Sequence, residues 1–528
     1  MLLLLGCHES GPPPIVLVSL DTFRADRLGS SRGLTPNLDA FAADSVVFTQ
    51  AFAQSDITSM SHASVFTSRY PSELGGIGPS FRMGRDAPTL AGVLSAYGYD
   101  TAAFTAGGHL GRGSGLDRGF ARFEPTRELG SFWHTVPSAL SWLDERKSDA
   151  TPFLFVHSYD THAPYLDPAP YGLAWADPAY TGPATAALDG IVGTELVFDN
   201  VVFTSERMLG VLEERGAPRE WDAAARAYMA SRAAEPENGA VPFGPADFKQ
   251  IRDVYDGAAA YADAGFGRLI EGLRARGLYD RAVVVVFSDH GEALGEEGRF
   301  GHGDSLADRV LQVPLIVHVP GGQGRRVEAP VALLDVMPTV LELAGATPPA
   351  GIAGESLVPW LRGGEGPSHA LLFAEGNTRE VSVRGAAGRL TFAGVSADSP
   401  FLSDLLATAA IDGPAFEVDT TAADREPLRR ELLAWRAALH PGGDGASASP
   451  DMVEKMRAHG YWDAEALERA EPAPTPNASA RHPDPAASRL EPDAQRTVPG
   501  VPRPPQEAAS EPGPGGAGRR EGREGEAR

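Results

Sequence analysis

Cysteine is nearly absent from the 528-residue sequence, which contains only Cys7. One thiol excludes an intramolecular disulfide and any metal site built from several cysteines. Long apolar runs are also lacking, since no stretch approaches the roughly 18 residues of a membrane-spanning helix. Positive charge is scarce: 46 Lys and Arg face 70 Asp and Glu, for a formal net charge of −24. This balance argues against a nucleic-acid partner, which requires a basic face, and favours simple solubility.

The first residues offer a targeting hypothesis. Cys7 ends the run "MLLLLGC", which resembles the end of a bacterial lipoprotein signal, although the run has no basic region and is short. We expect residues 1–13 to be a signal-like linker and the protein to be lipid-anchored in the bacterial cell envelope through Cys7. The alternative is a cytoplasmic protein.

Four continuous apolar runs follow, and such runs are typical of buried parallel strands. They lie at residues 15–22, 152–160, 282–292 and 313–321. Between them, apolar residues recur at helical spacing, as in 261–277, which ends in a glycine. The alternation predicts an α/β fold in which a large mixed, mostly parallel sheet is sandwiched by helices.

Composition shifts predict how the chain is divided. We expect a catalytic domain over residues 14–325 and a smaller C-terminal subdomain over 326–470, with short strands in 380–394. Residues 167–246 lack buried-strand runs and predict a helical, loop-rich insertion. Residues 471–528 are rich in Pro, Ala, Gly and Glu with few bulky apolar side chains, so this tail is expected to be disordered.

Three aspartates stand at the ends of predicted strands: Asp21, Asp160 and Asp289. In parallel α/β sheets the active site lies beyond the carboxyl ends of the strands. Asp21 and Asp289 offer carboxylate oxygens and His290 offers an imidazole, a set that suits a divalent cation. The simpler interpretations are a turn residue for Asp21 and a helix cap for the Asp289-His290 pair.

Five motifs occur in a fixed order along the chain: "SLDTFRADRLG", "SDITSMSHASVFTSRYPSELGG", "HSYDTHAPY", "FSDHGEALGEEGRFGHGDSLADRVLQVPLIV" and "LLDVMPTVLELAG". Together they closely resemble the sulfatase family within the alkaline phosphatase superfamily, over roughly residues 14–465. The combination is highly specific, whereas "SDHGE" alone is a weak signal.

The resemblance implies one divalent metal ion, Ca, Mg, Mn or Zn, bound by Asp21, Thr58, Asp289 and His290. Many sulfatases carry two adjacent aspartates in the first motif, but the second position here is Thr22. The ligand set is therefore leaner than in those relatives, and the identity of the ion stays open.

The register of the resemblance places Thr58 at the nucleophile. "SMSHASVFTS" predicts a short helix, whose N-terminal N–H groups would bind a tetrahedral anion. Sulfatases convert a Cys, or sometimes a Ser, within C-x-P-x-R to formylglycine, but this stretch reads T-S-M-S-H and cannot mature that way. A threonine ester must be cleaved by water at sulfur or phosphorus. Phosphoryl centres accept this attack more readily than sulfuryl centres, so a threonine nucleophile favours phosphate esters as substrates. The alternative role of Thr58 is a helix cap.

Four histidines are candidates for contact with the substrate. His162 and His302 match positions that face the leaving group or the anion in relatives, so they are expected to be catalytic. His62 and His109 are expected to bind substrate. His109 resembles the histidine of the family's lysine–tryptophan–histidine segment, but the lysine position is Gly107. His62 stands where the arginine of C-x-P-x-R would be.

The function expected from the resemblance is metal-dependent hydrolysis of sulfate esters. The substrate is a small-molecule, glycan or lipid ester of sulfate or phosphate, and no nucleic acid is involved. One alternative is a phosphodiesterase or phosphotransferase of the same superfamily, acting for instance on envelope glycans or lipids. Another is a non-catalytic binding protein that keeps the cleft, which the loss of the lysine and of the formylglycine motif favours.

Overall fold

The computed structural model describes residues 11–439, with gaps at 77–80, 85–86, 127–128, 148, 164, 166–169, 173, 181–243, 297–299, 304, 378–379, 393–406, 408–410 and 412–415. The chain divides into the units Met1–Arg481 and His482–Arg528, and all described residues belong to the first. Cys7, most of the predicted insertion and the predicted tail lie outside the described residues.

The strands of the first part of the chain are β1 (Ile15–Leu20), β2 (Val46–Phe52), β3 (Asp100–Thr105), β4 (Arg122–Pro125), β5 (Pro152–Ser158), β6 (Val283–Phe287), β7 (Ala293–Leu294), β8 (Phe300–Gly301), β9 (Gln312–His318), β10 (Arg325–Val327) and β11 (Val331–Ala332). A nine-stranded sheet has the order β10-β2-β9-β6-β1-β5-β3-β4, with β11 also paired to β2. Strands β7 and β8 pair separately.

The α-helices of the described residues are α1 (Pro36–Ala43), α2 (Thr58–Thr67), α3 (Leu90–Ala96), α4 (Phe132–Glu145), α5 (Pro245–Ala275), α6 (Asp308–Leu311), α7 (Val336–Leu343), α8 (Val358–Leu361) and α9 (Ala422–Ala438). None of these helices combines the length and the apolar character needed to cross a membrane.

The large sheet is mixed and mostly parallel, as predicted. Strand β1 lies between β5 and β6 and is parallel to both. Strand β9 is antiparallel to β6 and to β2, so the prediction of a parallel strand over 313–321 is wrong in direction. A continuous apolar run indicates that both faces of a strand are buried. This burial does not depend on whether the strand is parallel or antiparallel to its neighbours.

Helices cover both faces of the sheet, which explains why its strands are continuously apolar. Along β1, Ile15 and Leu17 join one hydrophobic cluster, with residues of α2, α3 and α7. Val16 and Val18 join the cluster on the other face, with residues of α1, α4 and α5. Alternate side chains of a strand point to opposite faces, so a strand in a central layer must be apolar at every position.

A second, four-stranded antiparallel sheet follows, with the order β12-β13-β14-β15 for Leu371–Glu375, Val381–Gly385, Gly388–Phe392 and Phe416–Thr420. Leu428 and Leu432 of α9 pack on Val383 and Leu390 of this sheet. The sequence placed the start of the C-terminal subdomain at residue 326. In the structure, β10 and β11 still pair with β2, and the separate sheet begins at Leu371.

Candidate metal and nucleophile site

Three predicted metal ligands meet beyond the carboxyl ends of β1 and β6. Asp21 directly follows β1, and Asp289 and His290 follow β6. Their ligand atoms all lie within 4.8 Å of one another, and all three side chains are fully buried. The strands are adjacent and parallel, so residues from two distant motifs reach the same edge of the sheet.

The donor atoms of this group fit a cation. No described residue donates a hydrogen bond to Asp21 Oδ1 or Asp289 Oδ2, although buried carboxylate oxygens are normally satisfied. Burial and then the nearby carboxylate of Asp289 raise the pKa of Asp21 well above its ordinary value. Two buried carboxylates this close repel each other, and a divalent ion would supply a positive charge that offsets the repulsion.

The tautomer of His290 also suits a metal ligand. Its Nδ1 lies 3.1 Å from the carbonyl oxygen of Gly291, which can only accept, so Nδ1 carries the hydrogen. In the neutral ring, Nε2 then offers its lone pair toward Asp289 and Thr58, at 3.4 Å from an oxygen of each. Hydrogen bonding at the second nitrogen is the usual way in which a metal-binding histidine is oriented.

Asp160, the third strand-end aspartate, does not join the group. Its Oδ2 accepts hydrogen bonds from the Ser158 hydroxyl at 2.6 Å and from the Phe132 amide at the start of α4 at 3.0 Å. Asp160 therefore holds the start of a helix.

Thr22 stands where many sulfatases have a second aspartate, and its side chain is turned away from the ligand atoms. The hydroxyl lies 2.7 Å from the carbonyl oxygens of Asp21 and Thr161. Its backbone φ is +55°, a left-handed conformation that is costly for a β-branched residue. This conformation directs the Thr22 amide to Asp289 Oδ1 at 3.3 Å, so Thr22 orients the Asp289 carboxylate.

Thr58 is the first residue of α2 and is fully buried. Its Oγ1 lies 3.4 Å from His290 Nε2 and within hydrogen-bonding reach of Asp21 and of the Tyr159 hydroxyl. Ile57 occupies the N-cap position and has no side-chain oxygen to cap the helix. The Thr58 hydroxyl therefore lies beside the candidate metal ligands, at the end of a helix where backbone N–H groups begin.

His62 lies behind the site rather than on its substrate side. Its Nδ1 donates to the carbonyl oxygen of Thr58 at 2.8 Å, and Nε2 lies 2.9 Å from the Ser19 hydroxyl of β1. Burial lowers the pKa of His62, so the ring is neutral and Nε2 accepts from Ser19. With both nitrogens bonded to protein atoms, His62 anchors the first turn of α2 to β1.

His157, which the sequence analysis did not single out, lies next to Asp21. Its Nδ1 accepts from the Ala106 amide at 3.3 Å, and its Nε2 lies 3.4 Å from Asp21 Oδ2. Burial and then the neighbouring histidines lower the pKa of His157. In the neutral ring the hydrogen is on Nε2, so His157 donates to the Asp21 carboxylate. The sequence feature that could have identified His157 is its position at the end of a predicted strand, directly before "SYDTHAPY".

The two predicted catalytic histidines lie together beside His290. The ring centroid of His302 is 4.9 Å from that of His162 and 4.4 Å from that of His290. Burial and then the nearby histidines lower the pKa of His302. The structure thus brings two motifs that are distant in the chain to one wall of the site.

Glu292 was also missed, although it ends the quoted "SDHGE" motif. Its carboxylate lies 3.0 Å from His302 Nδ1 and accepts from the Tyr165 hydroxyl at 2.6 Å. Burial raises the pKa of Glu292 to about 8, although the Tyr165 hydrogen bond and the charge of Arg24 act in the opposite direction. Arg24 donates to the backbone oxygen of Glu292 at 2.9 Å.

His109 lies on the other side of Tyr159. Its amide donates to the Tyr159 hydroxyl at 3.2 Å. Gly107, at the lysine position of relatives, has φ +78° and ψ −142°, which an L side chain rarely adopts. A lysine at this position would require a different backbone.

Comparison with known proteins agrees with this geometry. Residues 13–346 match the protein-family model described as Sulfatase. An N-acetylglucosamine-6-O-sulfatase of Bacteroides thetaiotaomicron is 26% identical over 407 residues, which are 67% of this chain and 72% of the relative. Arylsulfatase K of Xenopus laevis is 36% identical over 126 residues, which are 24% of this chain and only 23% of the relative.

Two solved structures share the fold. A phosphonate monoester hydrolase of Agrobacterium radiobacter has a TM-score of 0.57 at 21% identity, covering 81% of this chain and 96% of its own. A protein solved in complex with its substrate D-glucosamine-2-N,6-O-disulfate has a TM-score of 0.56 at 19% identity, covering 87% of this chain and 100% of its own. At these identities the likeness concerns the fold alone.

Proposed function

The chain belongs to the sulfatase family, and on that premise we propose that it is a metal-dependent hydrolase of sulfate esters with Thr58 as its nucleophile. The position of Thr58 carries the proposal. It begins α2, and its Oγ1 lies 3.4 Å from His290 Nε2 and within reach of Asp21. A hydroxyl placed beside metal ligands is the group that a bound ion would activate.

Asp21, Asp289 and His290 would hold one divalent ion, with Thr58 Oγ1 as a further ligand. Two carboxylates and an imidazole suit Ca, Mg, Mn or Zn. When bound, such an ion stabilises a deprotonated hydroxyl and offsets the charge of the carboxylates.

In the proposed reaction, Thr58 Oγ1 loses its proton to solvent, attacks sulfur and forms a threonine sulfate. The bond from sulfur to the leaving oxygen breaks, the electron pair stays on that oxygen, and the oxygen takes a proton from His302 or His162. Water then gives a proton to that histidine and attacks sulfur; the bond from sulfur to Oγ1 breaks, Oγ1 takes a proton from solvent, and inorganic sulfate is released. Burial lowers the pKa of His302, and the negative charge of a bound substrate acts in the opposite direction.

We propose sulfated sugars as the substrate class. The names of two proteins support this choice: the N-acetylglucosamine-6-O-sulfatase and the structure with bound glucosamine disulfate. His109 is proposed to contact the substrate anion from the Tyr159 side. His62 is proposed as a positioning residue, because its nitrogens already bond Thr58 and Ser19.

A phosphodiesterase or phosphotransferase is the second candidate, and Thr58 itself favours it. A threonine ester has no formylglycine route for expelling the anion, so water must attack sulfur or phosphorus. A binding protein without turnover is the third candidate, favoured by glycine at position 107. The buried group of Asp21, Asp289 and His290 favours the enzyme over the binding protein.

Turnover of nitrophenyl sulfate, nitrophenyl phosphate and bis-nitrophenyl phosphate, each with added Ca, Mg, Mn or Zn, tests these candidates. Thr58→Ala should abolish hydrolysis, whereas the control Thr67→Ala, at the other end of α2, should keep it. Sulfate release that depends on Thr58 supports the proposal. Cleavage of phosphate esters alone supports the second candidate, and unchanged turnover in Thr58→Ala overturns Thr58 as the nucleophile.

We keep the envelope location as a separate proposal, which rests only on the sequence around Cys7. Cys7→Ser should move the protein from the membrane fraction to the supernatant. Identical fractionation of the two forms would overturn the lipid anchor.

A further inference from the structure

Glu292 connects two of the sequence motifs through its carboxylate. Oε1 lies 3.0 Å from Nδ1 of His302, and Oε2 accepts from the hydroxyl of Tyr165 at 2.6 Å. Glu292 is fully buried, and the His302 side chain is 3% exposed. A buried carboxylate with one partner on each oxygen has a defined orientation, and it transfers that orientation to the groups it binds.

The partners of Glu292 are themselves held in place. The Tyr165 ring packs against Tyr255 of α5 at 5.4 Å between centroids, and both tyrosines are buried. Arg24 donates to the backbone oxygen of Glu292 at 2.9 Å and pairs with Glu296 at 2.7 Å. Side chain and main chain of Glu292 are therefore fixed from two directions.

His302 follows β8, a strand of only two residues, Phe300–Gly301. Because Nδ1 of His302 faces Glu292, the Nε2 edge of the imidazole faces away from Glu292. The ring face lies against His290 and His162.

We infer that Glu292 is a positioning residue that acts through His302: it holds the imidazole by Nδ1 so that Nε2 is directed to the leaving oxygen, with Tyr165 orienting the carboxylate. The inference rests on the proposed role of His302 in ester hydrolysis. It assigns to Glu292, which Tyr165 orients, the function of the carboxylate in catalytic triads, which is to hold the imidazole in one orientation.

A double-mutant cycle tests the inference, with nitrophenyl sulfate or bis-nitrophenyl phosphate as the probe, whichever the wild type hydrolyses. Glu292→Gln keeps the size of the side chain but replaces one carboxylate oxygen with an amide N–H, which weakens the contact that orients the ring through Nδ1. We expect kcat to fall about a hundredfold with KM nearly unchanged. Tyr165→Phe should lower kcat in the same direction but by less.

The decisive comparison uses the His302→Ala background. If Glu292 acts through His302, Glu292→Gln should cause no further fall in that background. Glu296→Gln is the matched control, because Glu296 also contacts Arg24 but has no contact with His302 among the described residues. Its effect should be small and equal in both backgrounds. Thermal unfolding of every variant measures folding separately from kcat.

The outcomes separate the inference from the function on which it rests. Equal falls for Glu292→Gln with and without His302 would overturn the inference and leave Glu292 as a structural residue. Full turnover in His302→Ala, with Thr58→Ala inactive, would overturn both the role of His302 and the inference but keep the nucleophile. A loss that vanishes in the His302→Ala background supports the inference.

Discussion

His157 Nε2 lies 3.4 Å from Asp21 Oδ2; His157 is on β5, and Asp21 directly follows the neighbouring strand β1. His157 Nδ1 is occupied by the Ala106 amide, so the neutral ring can only donate through Nε2. This contact holds one oxygen of Asp21 and leaves Oδ1, which no described residue hydrogen-bonds, for a cation.

We predict that His157→Gln weakens metal binding. Partners that orient a metal ligand typically contribute about ten- to a hundredfold in metal affinity. Calorimetric titration with Mn and Zn measures the change. His134→Gln, on the exposed face of α4, is the control and should bind metal as the wild type does. Equal affinities for all three proteins would mean that Asp21 does not need the His157 contact.

The strand-end aspartates are predicted to differ in function. Asp289→Asn should lower the amount of metal found by elemental analysis, because the variant loses a charged ligand. Asp160→Ala should keep the metal but lower the free energy of unfolding by about 1 kcal/mol, because the first amide of α4 loses its acceptor. Metal content that is unaffected by Asp289→Asn would refute the site.

We predict that His369 makes the free energy of unfolding depend on pH. Its Nε2 lies 2.8 Å from Asp335 Oδ2, and this hydrogen bond raises the pKa of His369 above its ordinary value. A pKa raised by folding contributes stability that is complete below the unfolded pKa, about 6.5, and is lost as pH rises through the folded pKa.

The free energy of unfolding should therefore fall more steeply above pH 6.5 in the wild type than in His369→Gln. Denaturant unfolding at a series of pH values measures the difference between the two curves. Parallel curves would show that the ion pair with Asp335 adds no pH-dependent stability.

Gly108 is predicted to determine the position of Tyr159. Gly108 has φ +55°, and a Cβ there would lie 3.0 Å from the Tyr159 hydroxyl, which is within reach of Thr58. Gly108→Ala should lower stability by about 1–2 kcal/mol, the cost of a left-handed L residue, and should also lower kcat.

Gly98→Ala is the matched control, because Gly98 has φ +87° with nothing within 4 Å of an added Cβ. It should show a similar loss in thermal unfolding but unchanged kcat. If both variants keep full turnover, the position of Tyr159 does not matter for Thr58.

The parts of the site that the sequence predicts are those next to strand ends or helix starts. Asp21 and Asp289 follow apolar runs, and Thr58 begins a short helix, so local pattern and known topology rules suffice to place them. His62 is different: it occurs in the same helix, but its ring faces Ser19 and Thr58 of the protein itself. Which face of α2 is covered depends on the sheet behind it.

The direction of β9 illustrates a second limit. Its apolar residues correctly predicted a buried strand, yet the strand is antiparallel to both of its neighbours. Apolar side chains record how deeply a strand is buried, whereas its direction depends on the route of the connecting segments.

The sequence by itself determined the α/β alternation, the buried strands and the residues of the candidate metal group, because each depends on local periodicity or on a short motif. Only the tertiary structure decided that His157 supports Asp21 and that Glu292 joins His302 to Tyr165. These pairs form where distant segments meet at one edge of the sheet. A side chain there acquires its role from the partners that folding brings within hydrogen-bonding distance, and a single sequence does not record those distances.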